Sequence, residues 1–253
     1  MVASGSAWDV LIAELDCWAA GEGEATFWWR DDDAVEDTPE LRRLLQCAGT
    51  IPLGLAVIPS RVQSSLAECL ARERTVDVLQ HGWAHVNHGP DGNDEYPGSR
   101  PRAEVEHELG EGRAILEALF GSQALGVFVP PWHGFDAGFL SLLRSAGLTG
   151  FSRKGPRPSR FAAPGVVQAN AHVSPIRWSD PPLFGDDTTY LEAIVEHLRG
   201  RRLGRYDRAE ATGLLTHHLV QNEASYAFIT RFAAIVCDHP RAAWVAARDI
   251  FGP

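Results

Sequence analysis

The stretch from Phe27 to Pro39, FWWRDDDAVEDTP, sets Phe27, Trp28 and Trp29 directly ahead of Arg30 and three consecutive acids, Asp31, Asp32 and Asp33. An unbroken run of large apolar side chains reads as a buried strand, here residues 25–30. Three adjacent carboxylates repel one another, and loss of solvent near the end of a buried strand sharpens the repulsion. The arrangement therefore calls for a cation or a proton. Thr38 and Pro39 then open a helix as N-cap and first helical residue, and Gly49 stops it.

Outward from this stretch, apolar strands and amphipathic helices alternate. IPLGLAVIP, TVDVLQ, ALGVFVP, a short run near 148–152, VVQANAHV and GLLTHHLV read as strands. Helices are expected from about Ser60, over about 101–120, 135–146, 187–200, 222–237 and 241–250. About seven strands interleaved with helices imply a parallel sheet, and both an open doubly wound sheet and a closed or nearly closed barrel fit that pattern. A polar, Gly/Pro-rich loop at about 88–101 is the longest turn-like region. With no repeat or linker, residues 1–253 read as one domain. Its first 20 or so residues form an amphipathic helix capped near Ser6, with no signal-peptide pattern.

The chain has 253 residues, 45% apolar and 22% charged, which is enough to bury a sizeable core. The formal charge of −10 excludes a general nucleic-acid binder, since phosphate binding needs a basic surface. No apolar run approaches the roughly 18 residues of a membrane span, and a cytoplasmic location is the expectation. Lys154 is the only lysine. Cys17, Cys47, Cys69 and Cys237 form no C-x-x-C pair and are expected to be buried reduced thiols.

The polar clusters fall at strand ends. The acids follow the first strand, HGWAHVNH follows TVDVLQ, PPWHGF follows ALGVFV, and THH ends GLL. In parallel α/β folds the C-terminal strand ends converge on one face, which carries the active site. His81 and His85 are four apart, and on a helical turn they would share a face and hold one metal ion. His88 is an alternative to His85. Gly82 stands where a zincin protease would carry glutamate, so that reading is disfavoured. No G-x-S-x-G stretch supports a serine nucleophile. His107, His197 and His239 are expected at the surface, His133 and His172 near the site, and Trp83 and Trp178 in the core.

In their order along the chain, RDDDA at 30–34, HGWAH at 81–85, VPPW at 129–132 and LTH at 215–217 resemble the four motif stretches of the polysaccharide deacetylase superfamily, the carbohydrate esterases of family four and their relatives. The resemblance runs from residue 30 to 217. It implies a distorted (β/α) barrel of about seven parallel strands and hydrolysis of an acetamide, not a peptide bond, on an N-acetylated sugar or glycan precursor. It also implies a divalent metal, Zn²⁺ first, with Co²⁺ or Ni²⁺ as alternatives. Carried over by position, Asp32 is the general base, Asp33, His81 and His85 hold the metal, and His217 is the general acid, with His218 one residue out of register. Pro130, Pro131 and Trp132 match the segment that lines the sugar groove and offers a backbone N–H to the oxyanion.

The departures are specific. Gly82 replaces a Ser or Thr, Ala34 replaces a turn glycine, Asp31 replaces an apolar residue, and Val129 replaces an arginine that pairs with the base. Arg30, two residues before Asp32, can share its face of a strand and supply the missing cation. Two other readings remain at this stage. One is a metal- or carbohydrate-binding homologue with impaired chemistry. The other is a metal hydrolase for a non-sugar amide, an ester or a phosphoester, the last of which lacks an evident Arg/Lys cluster.

Overall fold

The computed structural model describes residues 5–18, 23–90 and 92–252. The expected N-terminal helix is α1, Ala7–Asp16, with Ser6 as N-cap and Asp9 completing a capping box. Residues 1–4 and 19–20 of that expected segment lie outside the described residues.

Among the described residues nine strands build one sheet: β1 (Ala25–Ala34), β2 (Leu53–Val57), β3 (Val76–His81), β4 (Ala124–Val129), β5 (Gly150–Phe151), β6 (Phe161–Ala163), β7 (Val166–Gln168), β8 (Thr212–Thr216) and β9 (Ala242–Trp244). The order is β6-β7-β5-β4-β3-β2-β1-β8, with β9 beside the start of β1. Every pairing is parallel except β6 with β7. The ladder does not close. An isolated parallel bridge, Val173 with Leu214, spans the gap between the β7 side and β8, as in a distorted α/β barrel. There His172 N–H donates to Gly213 O at 2.7 Å and Leu215 N–H to Val173 O at 2.8 Å.

Helices cover the outside: α2 (Pro39–Ala48), α3 (Ser64–Leu70), α4 (Arg102–Phe120), α5 (Leu140–Ser145), α6 (Asp187–Arg202), α7 (Glu223–Asp238) and α8 (Ala247–Phe251). Strand alternation sorts β1 into two faces. Phe27 and Trp29 point outward into the main core with Leu41, Leu53, Leu55 and Phe232. Trp28 points into the barrel with Ala56, Leu79, Val129 and Phe251. A third cluster joins Tyr96, Phe128, Phe135, Phe139 and Phe151 beneath α4 and α5. Phe251 of α8 meets Trp28 edge-on at 5.8 Å and plugs the barrel's N-terminal end. The Arg248 guanidinium and backbone N–H both bond Asp77, which ties α8 to β3.

Several expectations change. The first strand runs through the acids to Ala34, because Asp31 and Asp32 find buried partners within the sheet. The last segment is a strand followed by a five-residue helix, since Ala242–Trp244 hydrogen-bond to the start of β1. The helix expected from Ser60 starts at Ser64, after a 3₁₀ turn led by Pro59. β8 ends at Thr216, ahead of both histidines. None of the thiols is buried: Cys17 and Cys237 are exposed and Cys47 and Cys69 intermediate. Among the described residues no helix is long and apolar enough to cross a membrane.

Candidate active site

Asp31, Asp32 and Asp33 diverge into three environments. Asp31, on the outward face, accepts from the Thr216 hydroxyl at 2.6 Å and lies 2.5 Å from His218 Nδ1. Burial would keep His218 neutral, but Asp31 beside it raises its pKa. Asp32 faces the barrel with Arg30, whose Nε lies 2.8 Å from Oδ1 and whose second guanidinium nitrogen donates to Oδ2 at 3.0 Å. Arg30 is fully buried and also donates to the Ser152 hydroxyl at 2.6 Å and the Arg153 carbonyl at 3.3 Å, so it spans the barrel from β1 to the end of β5. Burial would raise the Asp32 carboxyl, yet Arg30, then His81 and His217, hold it below the usual range. Asp33 takes φ 76° at a register break between β1 and β2, which turns its carboxylate out of the alternation.

That turn brings Asp33 against two imidazoles. Its Oδ1 lies 3.1 Å from His81 Nε2 and 3.3 Å from His85 Nε2. His81 closes β3, and its Nδ1 must donate to the Val129 carbonyl at 3.0 Å, because a carbonyl only accepts. That leaves Nε2 facing a carboxylate, a contact that takes either a proton or a metal cation between the two atoms. One carboxylate and two imidazole nitrogens, with all three ligand atoms within 4.8 Å of one another, suit a divalent ion of the zinc type with room for further ligands. Without an ion, burial opposes protonation of His81, while Asp32 and Asp33 raise its pKa. His85 goes the other way, lowered by burial and then by His81.

The i,i+4 spacing is not helical here. Residues 82–86 form a tight turn with Gly82 at φ 59° and His85 at φ 56°. Glu95, from the 88–101 loop, holds it. Its buried carboxylate accepts the backbone N–H groups of Ala84 at 2.8 Å, Trp83 at 3.2 Å and Val86 at 3.4 Å. A Cβ on Gly82 would stand 2.0 Å from Glu95 Oε2 and 2.6 Å from Pro131 Cγ. The Glu95 carboxylate thus occupies the space that a Ser or Thr side chain at position 82 would need. Sequence reading missed Glu95; the signal was the small residue at 82 with a lone glutamate in the following loop.

A cavity of about 470 Å³ opens on Asp32, Asp33, His81, His85, Asn93, Trp132, His133, Lys154, Trp178 and His217. Asp32, Asp33, His81, His85, His217 and Trp132 therefore meet in one place. His217 reaches it because Thr216 and His218, on the other side of the chain, are both locked onto Asp31. Its Nδ1 has no partner among the described residues, and its ring meets Trp178 edge-on at 4.8 Å. Of the two adjacent histidines, His217 lines the cavity and His218 does not. His88 is exposed and away from the ligand group, so it does not replace His85. Pro131 is buried against Gly82 and does not line the cavity; Trp132, at φ 51°, does, and its ring lies 4.2 Å from that of His85. Trp178 is 59% exposed, not a core residue.

The other histidines sort plainly. His133 lines the cavity, and burial, then Arg30, push it down to about 3. His172 and His197 are stacked at 3.5 Å beside Glu210 and do not line the cavity, and His197 is buried rather than on the surface. Their ligand atoms lie within 4.8 Å of one another, the same spacing as the Asp33 group, but other contacts already engage them. His172 Nδ1 accepts Gly213 N–H at 2.8 Å, so its Nε2 carries the proton, and Arg201 already contributes positive charge. Glu210 is saturated further by the N–H groups of Arg157 at 2.9 Å and Asn170 at 3.0 Å. The His172 and His197 Nε2 atoms stand 3.5 and 3.8 Å from Glu210 Oε2, so the group is a buried electrostatic cluster.

No family model and no curated protein matches the chain. Solved structures do. A Mycobacterium smegmatis protein assigned to the polysaccharide deacetylases superposes with a TM-score of 0.67 at 16% identity, over 91% of this chain and 90% of that one. The fold is that of the polysaccharide deacetylases. A family 4 carbohydrate esterase from Streptomyces lividans, in complex with acetate, gives 0.53 at 14% identity over 84% and 88% of the two chains. A family 4 acetyl xylan esterase from Clostridium thermocellum, in complex with a cobalt ion, gives 0.55 at 13% identity over 89% and 90%.

Proposed function

We propose that the chain is a divalent-metal-dependent hydrolase that removes the acetyl group from an N-acetylated saccharide. The observation that carries this reading is the convergence, in one cavity, of a carboxylate–imidazole–imidazole set with a cation-paired carboxylate and a further histidine. The acetate and cobalt complexes of two proteins of the same fold support it.

A divalent ion held by Asp33, His81 and His85 would polarise the acetyl carbonyl and make water nucleophilic at neutral pH. Asp32 accepts the proton of the attacking water; Arg30 keeps that carboxylate ionised and fixes its direction. The Trp132 N–H, for which no backbone acceptor is found among the described residues, would be the donor offered to the developing oxyanion. His217 delivers a proton to the departing amine. The carbon–nitrogen bond breaks, and acetate and a free amino sugar result. The exposed indoles of Trp132 and Trp178 flank the cavity and provide flat apolar faces for sugar rings.

The test measures acetate release from N-acetylated oligosaccharides by purified protein supplied with Zn²⁺ or Co²⁺. Turnover is expected to vanish with chelation and to fall at least about a hundredfold in Asp32→Asn, with metal still bound. Full turnover by Asp32→Asn, or none by the unaltered protein with one bound ion, would overturn the reading.

A further inference from the structure

The net charge is −10, yet no Asp or Glu occurs from Ala137 to Ser179, a segment that carries Arg144, Arg153, Lys154, Arg157, Arg160 and Arg177. The expectation that no Arg/Lys cluster accompanies the site missed this run, because its members are spread over loops around the short strands β5 to β7. Lys154 is the one that reaches the cavity described above. A second cavity of about 320 Å³ adjoins it, and the two share Lys154 and His133. Arg153, Phe161, Gln168 and Asn170 line the second one.

The segment under Lys154 is anchored on both sides. Arg153 N–H donates to Asn170 Oδ1 at 2.9 Å, and Arg153 Nε donates to the His133 carbonyl at 2.8 Å. Gly155 N–H donates to Ala171 O at 2.8 Å, and Asn170 Nδ2 donates to Gly155 O at 2.7 Å. Arg30, the partner of Asp32, bonds the same strand end through Ser152 and the Arg153 carbonyl. The Lys154 side chain is exposed and forms no ion pair among the described residues. A free ammonium on a backbone braced to the base-bearing strand, at the junction of two cavities in an acidic protein, is placed to meet a ligand anion.

We propose that Lys154, with Arg153 beside it, forms an anion subsite, and that the substrate is an acidic N-acetylated saccharide whose carboxylate or phosphate lies one cavity away from the acetamide. The inference rests on the deacetylase reading above and narrows its substrate class. The ammonium supplies a charge-assisted contact that a neutral glycan cannot return. Net negative charge elsewhere repels acidic glycans from other surfaces, which leaves this rim as the attractive entry.

The experiment compares acetate release from a neutral chito-oligosaccharide, the same oligosaccharide bearing a carboxylate, and one bearing a phosphate monoester. The unaltered protein should favour at least one acidic substrate by about tenfold or more in kcat/KM through KM. That ratio should shrink toward one in Lys154→Met and as salt rises from about 0.05 to 0.5 M, and Lys154→Arg should keep it. Arg144→Met, which removes a cation of the same segment outside both cavities, should leave it unchanged. The two acidic arms tell carboxylate from phosphate recognition. Equal kcat/KM on neutral and acidic substrates, or equal losses in Lys154→Met and Arg144→Met, would overturn the subsite. If no substrate yields acetate the deacetylase reading fails instead. Calorimetric titration of the same saccharides then decides the subsite alone, since tighter binding of the acidic ones that Lys154→Met abolishes supports it and equal binding refutes it.

Discussion

Glu95→Ala removes the one acceptor that satisfies the turn carrying His85. The Trp83, Ala84 and Val86 amides lose bonds of 3.2, 2.8 and 3.4 Å. Val86 is exposed and water can replace its partner, but Trp83 and Ala84 are half-buried. At about 1–3 kcal/mol for each buried amide left unpaired, a loss of up to roughly 2–6 kcal/mol in unfolding free energy is expected. Burial raises the Glu95 carboxyl above the usual range, so part of that loss is offset by no longer ionising a buried acid. Because the turn orients a ligand, affinity for Zn²⁺ should fall about 10- to 100-fold. Glu95→Gln keeps an acceptor at the Oε1 position, which serves Ala84 and Val86, and should fall between the two. Gly82→Ala brings a Cβ to 2.0 Å from Glu95 Oε2 and strains a residue at φ 59°. In the Glu95→Ala background one of its two clashes disappears, so the double variant should be more stable than the sum of the single losses predicts, by about 0.5–3 kcal/mol. Denaturant unfolding and chelator competition measure both quantities. Unchanged zinc affinity in Glu95→Ala, or strictly additive losses, would refute the coupling.

Arg30→Met should move the acid limb of the kcat/KM profile to higher pH, since Arg30 is the cation that holds the Asp32 carboxyl down, and should cost about 3–5 kcal/mol by stranding a buried charge; an unmoved limb rules out the pairing as functional. Asp33→Ala should reduce bound metal from about one equivalent to near zero by elemental analysis while leaving the fold intact, and retention of a full equivalent would exclude it as a ligand. The buried His172–His197–Glu210 cluster predicts acid sensitivity. Burial depresses His197 to about 4, so its contribution is complete above its unfolded value near 6.5 and is lost as pH falls toward 4. Glu210, depressed to about 2 against the opposing effect of burial, adds stability that is lost from about 4.5 downward. The melting temperature should drop steadily below pH 6.5, and His197→Gln should flatten the upper part of that decline; an identical pH dependence in the variant would contradict the assignment.

The order of elements was legible along the chain because each strand was an apolar run closed by Gly, Pro or polar residues, and the parallel sheet follows from strands alternating with helices. The meeting of Asp33, His81 and His85 was legible too, since strand C-termini in such a sheet must share a face. The extent of β1 was not. Three acids look like the end of a strand unless one knows that Thr216 and His218 take up Asp31 and that Arg30 takes up Asp32. The His81–His85 spacing suggested a helical turn, and the reason it is not one lies in Glu95, ten residues after His85, whose carboxylate outcompetes helical hydrogen bonding at 83–86. Trp178 looked like core because indoles usually are, yet it stands two residues past buried Ile176, in the exposed run 177–181.

What the sequence by itself determined is local and periodic: strand runs, helix caps, and the residue types that arrive at strand ends, all set by side-chain sterics and hydrophobic patterning within a few residues. What only the tertiary structure decided is pairing between distant groups. Whether Arg30 meets Asp32, whether His217 or His218 faces the cavity, and whether Lys154 stands unpaired at its rim depend on buried charges finding counter-charges across the barrel. That energy is fixed by distance and dielectric, quantities that chain order does not carry.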